Sequence, residues 1–99
     1  DDATITLSGV ANTGCLIAIG SYKGVGGGTR YAHAMIFLGY NIGTTGGTII
    51  SDPVGFLRNS DTDGYICVYK THGQGDVTVK NRLGVSSNIS ITVHRYQGL

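Results

Sequence analysis

The sequence predicts an all-β fold: an antiparallel β-sandwich or jelly-roll-like domain of about seven strands. The 99 residues include 17 glycines, and all six acidic residues are aspartate, a composition that disfavours helices. Short runs rich in Val, Ile, Thr and Tyr alternate with clusters of Gly, Asn and Asp that are typical of turns between strands. A chain of this length forms one hydrophobic core, so residues 1–99 are assigned to a single domain.

The first two predicted strands differ in how many of their faces are apolar. Residues 3–7 alternate between polar and apolar side chains, with Ile5 and Leu7 on the side that faces the core. Residues 15–22 are apolar on both sides, which predicts a strand covered on both faces. Residues 23–29 contain four glycines and are predicted to form a loop that superficially resembles a phosphate-binding loop. They lead into a strand, so no helix N-terminus is available to bind a phosphate.

Residues 30–40 form the predicted central strand, and they are largely apolar on both sides. A second sheet can cover one side of this strand. A single small domain has little left to cover the other side, so we expect another copy of the chain to pack there. The side chains expected at that contact are Tyr31, His33, Met35 and Phe37.

The middle of the chain combines a short strand with an irregular crossing. Residues 48–51 form the strand, and Pro53 then stops regular pairing because proline lacks the backbone N–H. Residues 54–60 are predicted to cross without regular structure, with Phe56 and Leu57 as apolar anchors.

The last part of the chain predicts a strand and a closing hairpin. The strand covers residues 65–71 and follows a turn at residues 61–64. Residues 76–81 and 88–96 both alternate, and turn residues separate them, which favours a hairpin with one apolar and one wet face. Its apolar face consists of Val77, Val79, Ile89, Ile91 and Val93.

Charge and cysteine content exclude several classes of protein. Seven Lys and Arg residues balance six Asp, and no basic stripe is present, so nucleic acid is not expected as a partner. No apolar run is long enough for insertion into a membrane. Cys15 and Cys67 each lie within an apolar run; two buried, unpaired thiols are the favoured interpretation, and a disulfide is the alternative.

The second half of the chain resembles a known class of domain. The stretch Gly-Asp-Val-Thr-Val-Lys-Asn-Arg-Leu-Gly-Val-Ser-Ser-Asn-Ile-Ser-Ile-Thr-Val (75–93) resembles the closing hairpin of small trimeric β-sandwich tip domains. Such domains cap bacteriophage tail fibres and spikes and related fibre-like adhesins of bacteria. The strand that starts Arg-Tyr-Ala-His-Ala (30–34) resembles their central strand, and the likeness extends from Ile5 to Tyr96.

The resemblance implies a homotrimer at the end of a fibre shaft, with a receptor, usually a cell-surface glycan, bound by exposed loops. It implies a location on a virion tail fibre or on a bacterial surface fibre, and an N-terminal continuation of the chain into the shaft. Two alternatives stay open: a structural trimerisation cap that binds nothing, and a monomeric carbohydrate-binding module of a secreted enzyme.

The residues expected for catalysis or metal binding are missing from the sequence. Glu is absent, and no Ser stands in a nucleophile context, so we expect a non-enzymatic protein without a cofactor. Asp61 and Asp63 flank a glycine turn rather than opposing each other across a substrate. They also start like a calcium loop, but Tyr65 and His72 stand where further ligands belong. Three copies of His33 around an axis could bind a metal; a buried, hydrogen-bonded histidine is the favoured interpretation.

Sugar binding needs an exposed aromatic ring and nearby polar groups. The ring could come from Tyr22, Tyr40, Tyr65, Tyr69 or Tyr96, although most tyrosines are expected to belong to the core or to the subunit contact. The loop 52–63 is the favoured region because it concentrates Arg, Asn and Asp. The predicted ligand contacts are Tyr40, Asn41, Asp52, Arg58, Asn59, Asp61 and Asp63.

Overall fold

The fold consists of eight β-strands in two four-stranded sheets. It comes from a computed structural model that describes residues 3–11, 14–23, 29–39, 47–70 and 75–96. Among these residues there is no helix, and hence none that could cross a bilayer. The strands are β1 Thr4–Leu7, β2 Cys15–Lys23, β3 Thr29–Leu38, β4 Thr48–Ser51, β5 Leu57–Arg58, β6 Ile66–Tyr69, β7 Val77–Asn81 and β8 Ile89–Arg95.

Each sheet combines strands that are distant in the sequence. Sheet I has the order β1-β7-β6-β5, and sheet II has the order β4-β3-β2-β8. All neighbours are antiparallel except β5 and β6, which are parallel. The prediction of an all-β sandwich is therefore confirmed.

The strand β5 was not predicted. Its two residues, Leu57 and Arg58, lie inside the segment expected to be irregular, and they pair with Ile66 and Cys67. The N–H of Ile66 donates to the carbonyl of Phe56 at 2.9 Å and extends this pairing. Two residues are too short a run to show a period of two, so the sequence pattern carried no signal for this strand.

The core lies between the two sheets and follows the period-two pattern. In β2 the inward side chains Cys15, Ile17 and Ile19 are buried, and in β7 so are Val77 and Val79. Phe56 and Leu57, the predicted anchors of the crossing, are fully buried in the same core. The remaining buried members are Ala11, Ala32, Ala34, Ile36, Leu38, Ile66, Val68 and Leu83.

The predicted closing hairpin is wrong. Strand β7 pairs with β1 and β6, whereas β8 pairs with β2 in the other sheet. Residues 82–88 therefore form an arch between the sheets, which stand about 10 Å apart in such packing. The apolar side chains of the two strands do face the same core, but they do so across the sandwich. Alternation shows which face of a strand is buried; it does not show which strand is its neighbour.

The sandwich is open along the flank formed by β1 and β8. Ile5 points between the sheets as predicted, yet it is 52% exposed. A cavity of about 290 Å³ separates the two strands, with Val79, Ile89 and Ile91 also in its wall. Strands β1 and β8 are the last strands of their sheets on this side, so no further strand covers the cavity within the described residues.

A buried lysine joins the sheets at the end where β2 begins. Lys70, directly after β6, is 2% exposed, and its Nζ donates to the carbonyl of Gly39, directly after β3, at 2.8 Å. This bond connects the end of a strand in sheet I with the end of a strand in sheet II. The sequence pattern did not indicate it, because Lys is rarely buried.

Replacing Lys70 by alanine should destabilise the fold. The carbonyl of Gly39 loses its donor, and an unmet buried group costs about 1–3 kcal/mol of unfolding free energy. Chemical denaturation of Lys70→Ala measures the change. Lys80→Ala is the matched control, since its exposed ion pair contributes at most about 1 kcal/mol. Equal losses in the two variants would contradict the structural role of Lys70.

Candidate functional site

The loop predicted to bind a ligand folds over the outer face of sheet I. Residues 59–65 cover Cys67, whose side chain is outward but fully buried. The Cys67 Sγ accepts a hydrogen bond from the N–H of Thr62 and donates to the carbonyl of Thr62, both at 3.2 Å. The loop is thus bound to the sheet through its own backbone.

The two aspartates of this loop form ion pairs with strand β7 and the residue after it. Arg82 Nη1 donates to Asp61 Oδ1 at 2.8 Å, and Lys80 Nζ donates to Asp61 Oδ2 at 3.4 Å. Asp63 is 88% exposed in its side chain and lies 3.4 Å from Arg82 Nη2. The hydrogen bond from Arg82 lowers the pKa of Asp61 below its ordinary value. These ion pairs hold the turn at residues 61–64 in place. A calcium ion at this turn would therefore compete with Lys80 and Arg82 for Asp61.

Asp52 organises the turn that precedes β5. Its Oδ1 accepts from the N–H of Phe56 at 3.0 Å, and its Oδ2 accepts from the N–H of Leu57 at 3.2 Å. Arg58 Nη1 lies 4.0 Å from Asp52 Oδ2, and the Arg58 Cζ stands 3.8 Å from the centroid of the Tyr65 ring. The guanidinium therefore covers one face of the Tyr65 ring, which is one of the rings predicted as candidates for sugar binding.

Asn59 connects the same loop with the start of β4. Its Nδ2 donates to the carbonyl of Gly47 at 2.8 Å. A Cβ at Gly47 would come within 2.7 Å of the Ile36 Cδ1, so a larger residue there would require the Ile36 side chain to shift. Tyr40 and Asn41, the other two predicted contacts, lie outside the described residues.

The predicted ligand residues thus fall into three groups, each of which bonds to the protein itself. Asp61 and Asp63 share Arg82, Asp52 and Arg58 share the turn before β5, and Asn59 stands apart. Their role as ligand contacts stays a prediction. In the described part of the chain, no group of three or more His, Cys, Asp or Glu side chains could hold a metal.

The outer face of sheet II carries the apolar side chains that the two-sided strands predicted. The inner side of β3 packs into the core, as expected. On the outer side, Met35 lies beside Ala18, and Phe37 lies beside Leu16, and all four are only partly buried. We call these four residues the outer apolar band. The Tyr96 ring packs on Phe37, with centroids 5.7 Å apart, and extends the band at one end.

Of the four residues predicted at the subunit contact, three can be placed on this face. Met35 and Phe37 belong to the outer apolar band, and His33 is exposed on the same face. The side chain of Tyr31 lies outside the described residues. The role of these residues in a subunit contact stays a prediction, and His33 is not the buried histidine that was favoured.

A trough interrupts the outer face of sheet II beside the band. Its floor is Gly20, whose neighbours in the sheet are His33 on β3 and Ser90 on β8. Two adjoining cavities of about 390 and 290 Å³ share these three residues. One extends to Tyr22 and Asn88, and the other extends to Ala18, Met35 and Thr92. We call this feature the Gly20 trough.

Sequence reasoning missed the trough, although a signal was present. Gly20 occupies an outward position in a strand whose other outward positions carry side chains. A glycine inside a strand marks a place where another group can approach the backbone. The partners across the strand could not be seen, because β8 was expected to pair with β7 rather than β2.

Both cysteines are free and buried, which confirms the favoured interpretation. Cys15 belongs to β2 in sheet II, and Cys67 belongs to β6 in sheet I. Burial raises the pKa of each thiol above its ordinary value. Nearby Lys70 and Arg95 oppose this effect at Cys15, and the hydrogen bond with Thr62 opposes it at Cys67.

Comparison with protein-family models, with curated proteins and with solved structures found no match to this chain.

The pKa of Asp61 should depend mainly on Arg82. Because the folded-state pKa is lowered, ionised Asp61 stabilises the fold above its unfolded-state pKa, and this contribution is lost as the pH falls through the folded-state pKa. An NMR titration of the side-chain carboxyl carbon of Asp61 should show that the pKa of Asp61 rises most of the way to its ordinary value in Arg82→Ala. Lys80→Ala should show a smaller return, and the reverse order would contradict the geometry.

Neither thiol should react with iodoacetamide in the native protein. Both sulfurs are inaccessible, and their raised pKa values reduce the thiolate that would react. Mass spectrometry should find two modified cysteines after unfolding and none before it, at mildly alkaline pH. Rapid labelling of the native chain would show that one of the two strands opens easily.

Proposed function

We propose that this chain is the non-enzymatic tip domain of a homotrimeric fibre, and that it binds a glycan on the surface of a target cell. The observation that carries the trimer is the outer apolar band. Leu16, Met35 and Phe37 lie next to one another on a sheet face that the described residues leave partly exposed. The resemblance to fibre tips supplies the three-fold arrangement and the location on a virion tail fibre or bacterial surface fibre.

Association would remove this apolar surface from water. Burial of apolar area contributes about 25 cal/mol per Å², and a stable contact buries roughly 1,200–2,000 Å² in total. A chain of 99 residues buries only about two-thirds of its unfolded surface when it folds alone, so binding to other copies would add stability. We place Met35 and Phe37 at the centre of the contact and His33 toward its edge.

Glycan recognition is supported by the exposed aromatic rings and by weak overall charge. Tyr22 and Tyr96 are 40% and 47% exposed, and the formal net charge of the chain is +1. An aromatic ring with one wet face is suited to the apolar face of a sugar.

The structural trimerisation cap is the second candidate. It is favoured by the internal bonds of Asp52, Asn59 and Asp61, which occupy the polar groups that the loop would offer to a ligand. A glycan array separates the two functions, because a cap should bind no glycan at any concentration at which a fibre tip does.

The solution mass tests the trimer. Light scattering on a size-exclusion column should give about three times the chain mass of 10.3 kDa. Met35→Glu should give the mass of one chain, because it places a charge in the contact. Thr78→Glu, on the outer face of sheet I, is the matched control and should leave the mass unchanged.

Two outcomes would contradict this proposal. A single-chain mass for the unsubstituted protein would exclude the trimer and favour the monomeric carbohydrate-binding module. A trimer that persists in Met35→Glu would show that the subunit contact lies on another surface, such as the open flank at Ile5. Ile5→Glu should then separate the copies.

A further inference from the structure

We propose that the Gly20 trough binds one neutral sugar ring. This inference rests on the proposed glycan recognition and gives it a location different from the predicted loop 52–63. Its starting point is the cluster of His33, Ser90 and Thr92 around a strand position that has no side chain.

The trough has the size and openness that a ring needs. The two adjoining cavities of about 390 and 290 Å³ compare with roughly 300–1,000 Å³ for small-molecule sites. Among the described residues, a Cβ placed on Gly20 would meet only the carbonyl of Ala32, at 4.0 Å, so these residues leave space above the backbone. Ala18, the next outward residue of β2, adds only a methyl group to the floor. A flat ring can therefore approach the strand closely.

The walls offer hydrogen bonds from both sides. The hydroxyls of Ser90 and Thr92 stand on β8, two residues apart, and both residues are exposed. The His33 imidazole stands opposite on β3, and the Asn88 side chain lies at the end of the trough. Each of these groups both donates and accepts hydrogen bonds when the histidine is neutral, as sugar hydroxyls do.

The charge of the lining selects the class of ligand. Among the described residues, no Asp, Lys or Arg lines the two cavities, and the nearest cation at the Tyr22 end is Lys23, whose Nζ stands 5.4 Å from the centroid of the Tyr22 ring. Phosphate or carboxylate ligands are normally held by charged groups that point into the site, and the described lining supplies none. A neutral ligand with several hydroxyls matches these walls, and Tyr22, which is 40% exposed, adds an aromatic ring at the end of the trough.

The position of the trough is compatible with the proposed trimer. The outer apolar band extends from Met35 toward Phe37 and Leu16, and the trough extends from Met35 in the other direction, toward Tyr22. Met35 and His33 lie where the two surfaces meet, so a neighbouring copy would border this end of the trough, and Tyr22 and Asn88 lie at the opposite end from Phe37.

The test uses the full chain labelled with ¹⁵N and three neutral probes: methyl β-galactoside, methyl α-mannoside and methyl N-acetyl-β-glucosaminide. Each is added to tens of millimolar while backbone amide shifts are recorded. At least one probe should shift the amides of Gly20, His33, Ser90 and Thr92 in a saturable manner. Gly20→Val should weaken this binding by about tenfold or more, because its methyl groups fill the trough.

Two further variants keep the result interpretable. Thr78→Val, on the outer face of sheet I, places the same residue type away from the trough and should bind as the unsubstituted chain does. The double variant Ser90→Ala with Thr92→Ala changes only exposed side chains, so it should fold. It removes one wall of hydroxyls and should also weaken binding, which covers the case in which Gly20→Val does not fold.

The outcomes separate this inference from the proposed function. Shifts confined to residues 52–63, or full binding by Gly20→Val and by the double variant, would overturn the trough and leave a glycan-binding fibre tip. The absence of any shift with all three probes would overturn the trough and the glycan part of the proposed function together. The solution mass would then be the remaining test of the proposed trimer.

Discussion

Burial of alternate side chains between two sheets is the constraint on which the rest of this structure depends. Ile17 and Ile36 from one sheet share a core with Val68 and Val77 from the other. Because side chains alternate, the inner sets leave outer sets that must be covered in some other way. In sheet I the loop 59–65 covers the outward side chain of Cys67, and in sheet II the described residues leave the apolar band partly exposed. The two faces of the molecule therefore differ in what they can bind.

Polar side chains attach the irregular segments to this framework. Asp52 holds the turn before β5, Asp61 holds the loop over Cys67, and Lys70 joins the ends of the two sheets. Each of these groups could be mistaken for part of a binding site when it is considered alone. Their internal bonds hold polar, irregular segments in place, because backbone groups in such segments need partners.

The outer face of sheet II combines two kinds of surface within a short distance. The band at Met35 and Phe37 is suited to another copy of the chain, and the trough at Gly20 is suited to a small polar ligand. The change occurs along β2, where outward Leu16 and Ala18 give way to Gly20. The two surfaces meet at Met35 and His33, which lie in the proposed subunit contact and also line the trough.

Local patterns in the sequence were sufficient for the fold class, for most strands and for the buried residues of β7, because alternation is a property of neighbouring residues. In β2 and β3, both sides are apolar, so alternation did not show which side lies in the core. The arch between β7 and β8 depends on pairing between distant strands, and β5 is too short to show a period. The contacts of Lys70 with Gly39 and of Arg82 with Asp61 join residues 31 and 21 positions apart. The Gly20 trough likewise exists only because β8 lies beside β2, so the tertiary structure alone brings its walls together.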